Sequence, residues 1–237
     1  EWISLKGQGA MSSSTGNTIG PLEALELVPP QVLRYLIAST KPKKAITFDA
    51  GMSLVELADE FERLASRDID AEMQNDDLSR RQKVALEDAE GALRMSRIGD
   101  KTESIVSFRH LSMLAQVKSD EEIITSYGSN LRDRLDRMKN WIQGPYFPEE
   151  LRIKVLDAIN PNADKDITMR LHSYLSECEW DAKSISDSIS LCFRESEISP
   201  RDGYKALYNA ILGVDKGPRL APILSELDRE RVLTLLG

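Results

Sequence analysis

The chain has 237 residues, of which 41% are hydrophobic, so it can build a substantial core in one large or two ordinary domains. No apolar run approaches the roughly 20 residues of a membrane span, and the first residues lack the basic-then-apolar order of a signal peptide, so we expect a cytoplasmic protein without a membrane partner. The chain has only two cysteines, which excludes a disulfide framework, and its small number of candidate nucleophiles disfavours covalent hydrolase chemistry. The formal net charge of −8 argues mildly against binding of nucleic acid, unless the chain has a local basic face.

His172, Cys178 and Cys192 are the side chains that could in principle share a metal ion. Their spacing matches no zinc pattern, and thiols and imidazoles at such positions are commonly buried on helix faces. We therefore expect no metal site, and we expect any catalysis to depend on positioning and electrostatics rather than on a covalent intermediate.

The first feature of chemical interest is the glycine-bounded loop GAMSSSTGN at residues 9–17. Alternating apolar and polar residues at Glu1–Leu5 predict a strand before it, and Pro21 predicts the first turn of a helix after it. A small polar run alone is more often a flexible linker, but hydroxyls and free N–H groups between a strand and a helix are suited to hold a phosphate. A lone strand cannot satisfy its own backbone, so we expect its sheet in a segment that precedes residue 1. The candidate loop residues are Met11, Ser12, Ser13, Ser14, Gly16 and Asn17.

From Pro21 onward, apolar residues recur at the three-and-four spacing of helices, apart from an extended stretch at 46–49. The highly charged stretch 75–92 predicts either a helix partly in solvent or a long excursion. Ser119 and the acidic residues after it predict a helix start, and we place a domain boundary at residue 118. Further helices are predicted around residues 32–37, 54–64, 108–118, 131–142, 148–159, 167–175, 182–193, 200–212 and 227–236.

Three groups of cations are candidates for phosphate contacts. The helix predicted at 131–142 has a basic face and an indole on which a base could stack, or else it is a solvated charged face over core aromatics, because acidic residues interleave with its arginines. The turn Lys216–Arg219 is either a helix stop or a rigid holder for a guanidinium. The cluster Lys41–Lys44 is either a solvated loop or a contact for an acidic partner. The residues chosen from these groups are Arg132, Arg134, Arg137, Trp141 and Arg219.

The serine loop, followed by LRYLIAST at Leu33–Thr40, resembles the second signature of class I aminoacyl-tRNA synthetases, usually Lys-Met-Ser-Lys-Ser. The likeness is greatest to the class I type of lysyl-tRNA synthetase and extends to Ala206–Tyr208 and Leu212–Arg219 near the other end. The family's first signature, a histidine-glycine-histidine motif, has no counterpart here, because neither histidine has a glycine beside it.

The resemblance implies a mainly α fold in three segments. Residues 1–20 would be a small remnant of an α/β catalytic domain with the KMSKS-like loop, 21–118 a multi-helix stem-contact region, and 119–237 an α-helix cage that binds the anticodon. It also implies the tRNA-binding C-terminal half of an ATP-dependent lysine–tRNA ligase, inactive alone, with ATP and Mg²⁺ as cofactors and with lysine, ATP and tRNA as partners only of the full-length enzyme. The alternative is a non-catalytic helical module that binds RNA or protein and keeps a relic nucleotide loop.

In this resemblance the loop residues listed above match the mobile loop that contacts the phosphates of ATP. The sequence departs from the family pattern at Ala10, Ser13 and Thr15, where many relatives have lysine. The loop therefore has no cation of its own, and only its hydroxyls and backbone N–H groups would stabilise the charge that develops on pyrophosphate.

Overall fold

The structure, a computed structural model, describes residues 3–5, 9–10, 19–97 and 106–237, and for residues 3–5 and 9–10 it describes the backbone. The described chain is mainly helical with a small strand region near residue 1, as predicted. None of the described helices is long and apolar enough to cross a membrane. The helices are α1 Pro21–Leu27, α2 Pro30–Ser39, α3 Met52–Ala65, α4 Ile69–Met73, α5 Arg80–Ser96, α6 Phe108–Val117, α7 Asp120–Tyr127, α8 Arg132–Gln143, α9 Lys165–Glu177, α10 Ala182–Glu195, α11 Pro200–Leu212, α12 Leu220–Glu226 and α13 Arg229–Leu236.

Three short strands form a sheet in the order β2-β1-β3, where β1 is Ile3–Leu5, β2 is Gly9–Ala10 and β3 is Ile46–Phe48. Strand β1 pairs antiparallel with β2 and parallel with β3, with Leu5 opposite Phe48. The extended stretch predicted at 46–49 is thus a strand. The sequence places the partners of β1 in a preceding segment, but two of them lie within this chain, because Ile46–Phe48 returns beside β1 after α1 and α2.

The chain divides into two compact units. Unit 1 contains Glu1–Leu111 and Tyr127–Phe147, and unit 2 contains Ser112–Ser126 and Pro148–Gly237. The backbone passes from one unit to the other three times, and α6 begins in unit 1 and ends in unit 2. These units divide the chain elsewhere than the segments 1–20, 21–118 and 119–237, which remain predictions about the roles of those segments.

Unit 1 has an apolar cluster where α2 packs against α5. Helix α5 has the capping box of Ser79 and Gln82 at its start, and most of its remaining surface is exposed, which agrees with the first of the two interpretations of the charged stretch 75–92. The helix buries a narrow stripe because one face alone meets α2 and α3. The buried members of the cluster are Tyr35, Leu64, Ile69, Leu86, Ala92 and Leu93.

Unit 2 is a bundle in which α10 packs against α9 and α12, and α13 packs against α9 and α11. Its helices have well-defined starts, since a side-chain oxygen accepts N–H groups of the first turn in four of them. The capping residues are Asp164, Asp181, Ser199 and Asp228. Gly213, at a φ of 69°, ends α11 in the left-handed conformation that glycine adopts without strain. Leu171, Leu175, Ile185 and Ile189 are fully buried between these helices.

The helix predicted from Pro148 through Val155 to Ile159 is wrong. One 3₁₀ turn spans Glu149–Leu151, and the chain from 152 to 160 has no helix. Two backbone N–H groups of this segment donate to neighbouring elements. The Ile153 N–H donates to the side-chain oxygen of Gln116 at 2.8 Å, and the Leu156 N–H donates to the Ile211 carbonyl at 2.9 Å. Apolar spacing alone does not distinguish a helix from an extended segment that is anchored in this way.

Candidate functional site

The predicted ATP loop follows strand β2 and precedes α1. Gly9 and Ala10 form β2, whereas Met11, Ser12, Ser13, Ser14, Gly16 and Asn17 lie outside the described residues. On the far side of the loop the Gly20 N–H donates to the Glu23 carboxylate at 3.4 Å, and Pro21 occupies the first turn of α1. The described residues therefore include a strand before this segment and a helix after it, as predicted.

The motif Leu33–Thr40 lies on α2, and its polar side chains connect α2 to its neighbours. Arg34 donates from Nε and Nη2 to the carbonyl oxygen of Met95 at 3.0 and 2.6 Å, and this carbonyl is in the last turn of α5, where no helical N–H reaches it. Tyr35 is 2% exposed, and its hydroxyl donates to Glu60 at 3.1 Å. Burial, together with the charge of Glu60, raises the pKa of Tyr35. The motif thus has a structural role in unit 1 that the sequence pattern did not reveal.

Arg134 on α8 is an internal residue of unit 1 rather than part of a basic outer face. Its guanidinium donates to the Val106 carbonyl at 3.0 Å and to the Glu62 carboxylate at 2.9 Å, and both side chains of this ion pair are about one-fifth exposed, at 20% and 18%. The same carboxylate accepts the Phe108 N–H. Burial raises the pKa of Glu62 and lowers the pKa of Arg134, so desolvation outweighs the attraction between the two charges.

Trp141 lies in the core of unit 1. It has no exposed surface, and its indole N–H donates to the Ala50 carbonyl at 2.6 Å. Its ring lies 5.3 Å from that of Phe108 and 4.8 Å from that of Phe147. An indole in this setting presents no face on which a base could stack, so the structure agrees with the alternative of a core aromatic.

The other two arginines of α8 differ in exposure, since Arg132 is exposed whereas the Arg137 side chain is 23% exposed. Arg137 donates to both carboxylate oxygens of Asp133, at 2.9 and 3.0 Å, in an (i, i+4) pair along the helix. Arg132 is exposed at the first position of α8. The helix therefore brings four of the five predicted residues together along the chain, but it directs Arg134 and Trp141 into unit 1.

Arg219 belongs to unit 2, at the end of the turn that follows α11. The Tyr208 hydroxyl donates to the Pro218 carbonyl at 2.6 Å, and a Cβ added to Gly217 would lie 3.3 Å from the Tyr208 ring, so the turn is held closely against α11. Lys216 and Arg219 are exposed, and Arg219 has no ion pair among the described residues. The turn is a rigid platform for one solvent-facing guanidinium.

Cys192 is buried, and burial raises the pKa of its thiol, whereas Cys178 is partly exposed. Within the described ranges, no group of three or more His, Cys, Asp or Glu side chains is arranged to hold a metal ion.

The amino-acid sequence was compared with protein families and with known proteins. Residues 1–89 match the model of a family described as tRNA synthetases class I (K). The chain is similar to lysine–tRNA ligases. It is 30% identical to the lysine–tRNA ligase of Thermoplasma volcanium over 257 aligned residues and 31% identical to that of Thermoplasma acidophilum over 249. The alignment to the Archaeoglobus fulgidus ligase is 27% identical over 255 residues.

These alignments cover 100%, 98% and 100% of this chain, but 48%, 46% and 47% of the respective relatives. The chain therefore spans about half the length of the curated relatives that it matches. The matched family region includes the whole serine loop and the Leu33–Thr40 motif, on which the resemblance was first based.

Proposed function

We propose that this chain is the tRNA-binding C-terminal portion of an ATP-dependent lysine–tRNA ligase, in which the full-length protein activates lysine and transfers it to tRNA. The observation that carries the proposal is the similarity over essentially the whole chain to about half of each lysine–tRNA ligase. The serine loop lies in the region that the family model matches, and the described chain after it is helical apart from β3, which supports assignment to the C-terminal portion. On this proposal the fragment alone is inactive, because the first ATP signature and the lysine pocket are in the other half.

In this proposal Met11, Ser12, Ser13, Ser14, Gly16 and Asn17 contact the phosphates of ATP, which binds with Mg²⁺ in the full-length enzyme. Residues 21–118 contribute the stem-contact region, and residues 119–237 read the anticodon. The structure supports Arg219 and Arg132 as tRNA contacts more strongly than Arg134 and Trp141, since the first two face solvent. Lysine and tRNA enter as partners by analogy with the relatives, and the cytoplasm is the compartment in which such an enzyme acts.

The alternative is a non-catalytic helical module that binds RNA or protein. The observation in its favour is the absence of lysine from the serine loop, where Ala10, Ser13 and Thr15 stand at the positions for which the resemblance implies lysine. A loop without its own cation would stabilise the charge on pyrophosphate less well.

A gel-shift titration of the chain with lysine-accepting tRNA and with a non-cognate tRNA tests the proposal. We expect preferential binding of the lysine-accepting tRNA. Arg219→Ala should weaken this binding by about 10-fold, the loss of one guanidinium contact to a phosphate or base edge. The matched control is Arg201→Ala, an exposed arginine in the first turn of α11, which should change the affinity by less than about twofold.

Equal affinity for both tRNAs would favour the alternative module. An Arg219→Ala variant that binds as well as the Arg201→Ala control would remove Arg219 from the interface while leaving the proposal for the chain intact.

A further inference from the structure

Unit 1 contains a groove of about 980 Å³, and none of the arginines predicted to contact tRNA lines it. It is bounded by α2, by the second half of α3, by α5 and by the turn that follows α2. Ligand sites typically have volumes of about 300–1,000 Å³, so the groove is large enough to hold a small molecule or one unit of a polymer.

The floor of the groove is apolar. Ala38 of α2, Leu64 of α3 and the α5 side chains Leu86, Ala89 and Ala92 line it. Tyr35 also lines it, and its hydroxyl donates to Glu60. Such a floor offers flat aliphatic contact to a planar ring. Gln82 and Asp88 on α5 place an amide and a carboxylate at the edge, where the polar rim of a ring would lie.

Cations occupy the rim. The turn Lys41–Lys44 is closed by a 2.9 Å hydrogen bond from the Lys44 N–H to the Lys41 carbonyl, and Lys41 and Lys43 line the groove. Arg63 of α3 lines it as well. All three side chains belong to exposed residues and, within the described part of the chain, none of them has a carboxylate at ion-pair distance.

The acidic residues of the groove are largely engaged. Glu72 is held by Arg67 in a two-oxygen ion pair, and Glu60 accepts the Tyr35 hydroxyl. Asp88 has no such partner among the described residues. With Lys41, Lys43, Arg63 and Arg67 against these three carboxylates, the groove is locally basic although the chain as a whole is acidic. An exposed, unpaired group of cations beside an apolar floor is complementary to an anion that carries a flat apolar body.

We propose that this groove binds one unpaired nucleotide of RNA, with its phosphate at Lys41 and Lys43 and its base against the floor formed by α2 and α5. The proposal rests on the proposed function and extends it to a defined contact in unit 1. An unpaired base is required because the bases of a duplex are stacked and cannot enter a groove, whereas a single-stranded nucleotide can turn out of its stack. Asp88 would accept a hydrogen bond from an exocyclic amine.

The test is fluorescence anisotropy with a labelled single-stranded RNA of about 12 nucleotides, at several salt concentrations between about 50 and 200 mM. The double variant Lys41→Ala/Lys43→Ala should bind at least about 10-fold more weakly, and the slope of log affinity against log salt should fall by about 1.4, the value for two lost contacts to a single strand. The matched control, Arg80→Ala/Lys83→Ala, removes the same charge from exposed α5 residues that do not line the groove and should change affinity by less than about twofold.

A second variant tests the apolar floor of the groove independently of the cations at its rim. Ala85 is exposed on α5 and lines the groove, so Ala85→Trp would occupy part of it without changing any charge. We expect a weaker affinity with an unchanged salt slope. If Ala85→Trp binds like the unmodified chain, or if the lysine variant matches its control, the groove is not the site.

The same variants measured with lysine-accepting tRNA separate this proposal from the proposed function. Retained tRNA binding by the groove variants would overturn the groove alone. If the unmodified chain does not bind tRNA, the proposed function is overturned. The titration with single-stranded RNA would still show whether the groove binds a nucleotide.

Discussion

Arg134 and Glu62 are joined by a hydrogen bond of 2.9 Å between two side chains that are mostly buried in unit 1. The carboxylate also accepts the first free N–H of α6, from Phe108. The pair therefore ties α3 and α8 to the start of α6. A buried pair of this kind often adds little compared with an apolar pair, but loss of one partner leaves a charge that is neither hydrated nor neutralised.

We expect Arg134→Met to lower the free energy of unfolding by about 3 kcal/mol near neutral pH, the lower end of the range for a buried ion pair that loses one partner. The effect should depend on pH. Burial already raises the pKa of Glu62, and removal of the arginine should raise it further. A pKa that is higher in the folded than in the unfolded state gives a stability contribution that is complete below the unfolded-state pKa and is lost as the pH rises through the folded-state pKa. The cost should therefore be smaller at about pH 4 than at about pH 7.

Urea unfolding at the two pH values measures this difference. Arg137→Met is the control, since Arg137 pairs with the exposed Asp133 and its loss should cost only about 0.5 kcal/mol at either pH. Equal costs for the two variants would show that Arg134 is not the buried partner that the structure describes.

The crossing of α10 and α11 depends on a glycine in the first turn of α11. A Cβ built on Gly203 would lie 2.5 to 2.7 Å from three ring carbons of Phe193, far inside contact distance. Phe193 is itself buried and packs edge-on against Tyr204, so its ring is held on a second side as well. The close approach of these two helices in unit 2 therefore requires the missing side chain at residue 203.

Gly203→Ala should destabilise the protein by about 1–3 kcal/mol, because overpacking outweighs the helix propensity gained by alanine. Gly91→Ala in α5 is the matched control. No atom would lie within 4 Å of the added Cβ there, so this change should stabilise the protein by about 0.5–1 kcal/mol. Thermal unfolding of both variants gives the signs directly. A stabilising Gly203→Ala would mean that α10 and α11 do not approach as closely as described.

The positions of most helices follow from the sequence, because an apolar stripe with a cap at one end is a local signal. Ser119 is one example, since its hydroxyl and N–H exchange hydrogen bonds with Glu122 at the start of α7. The burial of Trp141 could also have been read from its spacing with Leu135 and Met138 on the same face.

Other features could not be predicted because they depend on partners that are distant in sequence. The environment of Arg134 is set by Glu62, which lies 72 residues away. The lack of a helix after Leu151 depends on the amide of Gln116 and on the end of α11. The three passages of the backbone between the compact units have no local signature either. The loop Met11–Asn17 is the part of the candidate site whose role still rests on its sequence alone.

Charge is unevenly distributed over the chain. Acidic residues exceed basic ones overall, and most of the excess lies in unit 2. An RNA partner would then be bound by a few local cations, such as Arg219 and the lysines of the turn Lys41–Lys44, against an unfavourable average field. We therefore expect binding to weaken steeply as salt rises, in proportion to the number of phosphates contacted.

The central claim is that this chain supplies the tRNA-binding portion of a lysine–tRNA ligase. The most direct measurement is attachment of labelled lysine to lysine-accepting tRNA, with ATP and Mg²⁺, by the longer protein that the proposal assumes and, in parallel, by the 237-residue chain alone. We expect lysyl-tRNA formation by the longer protein and none by the chain alone. Failure of the longer protein to attach lysine, while it still folds and binds this tRNA, would contradict the account.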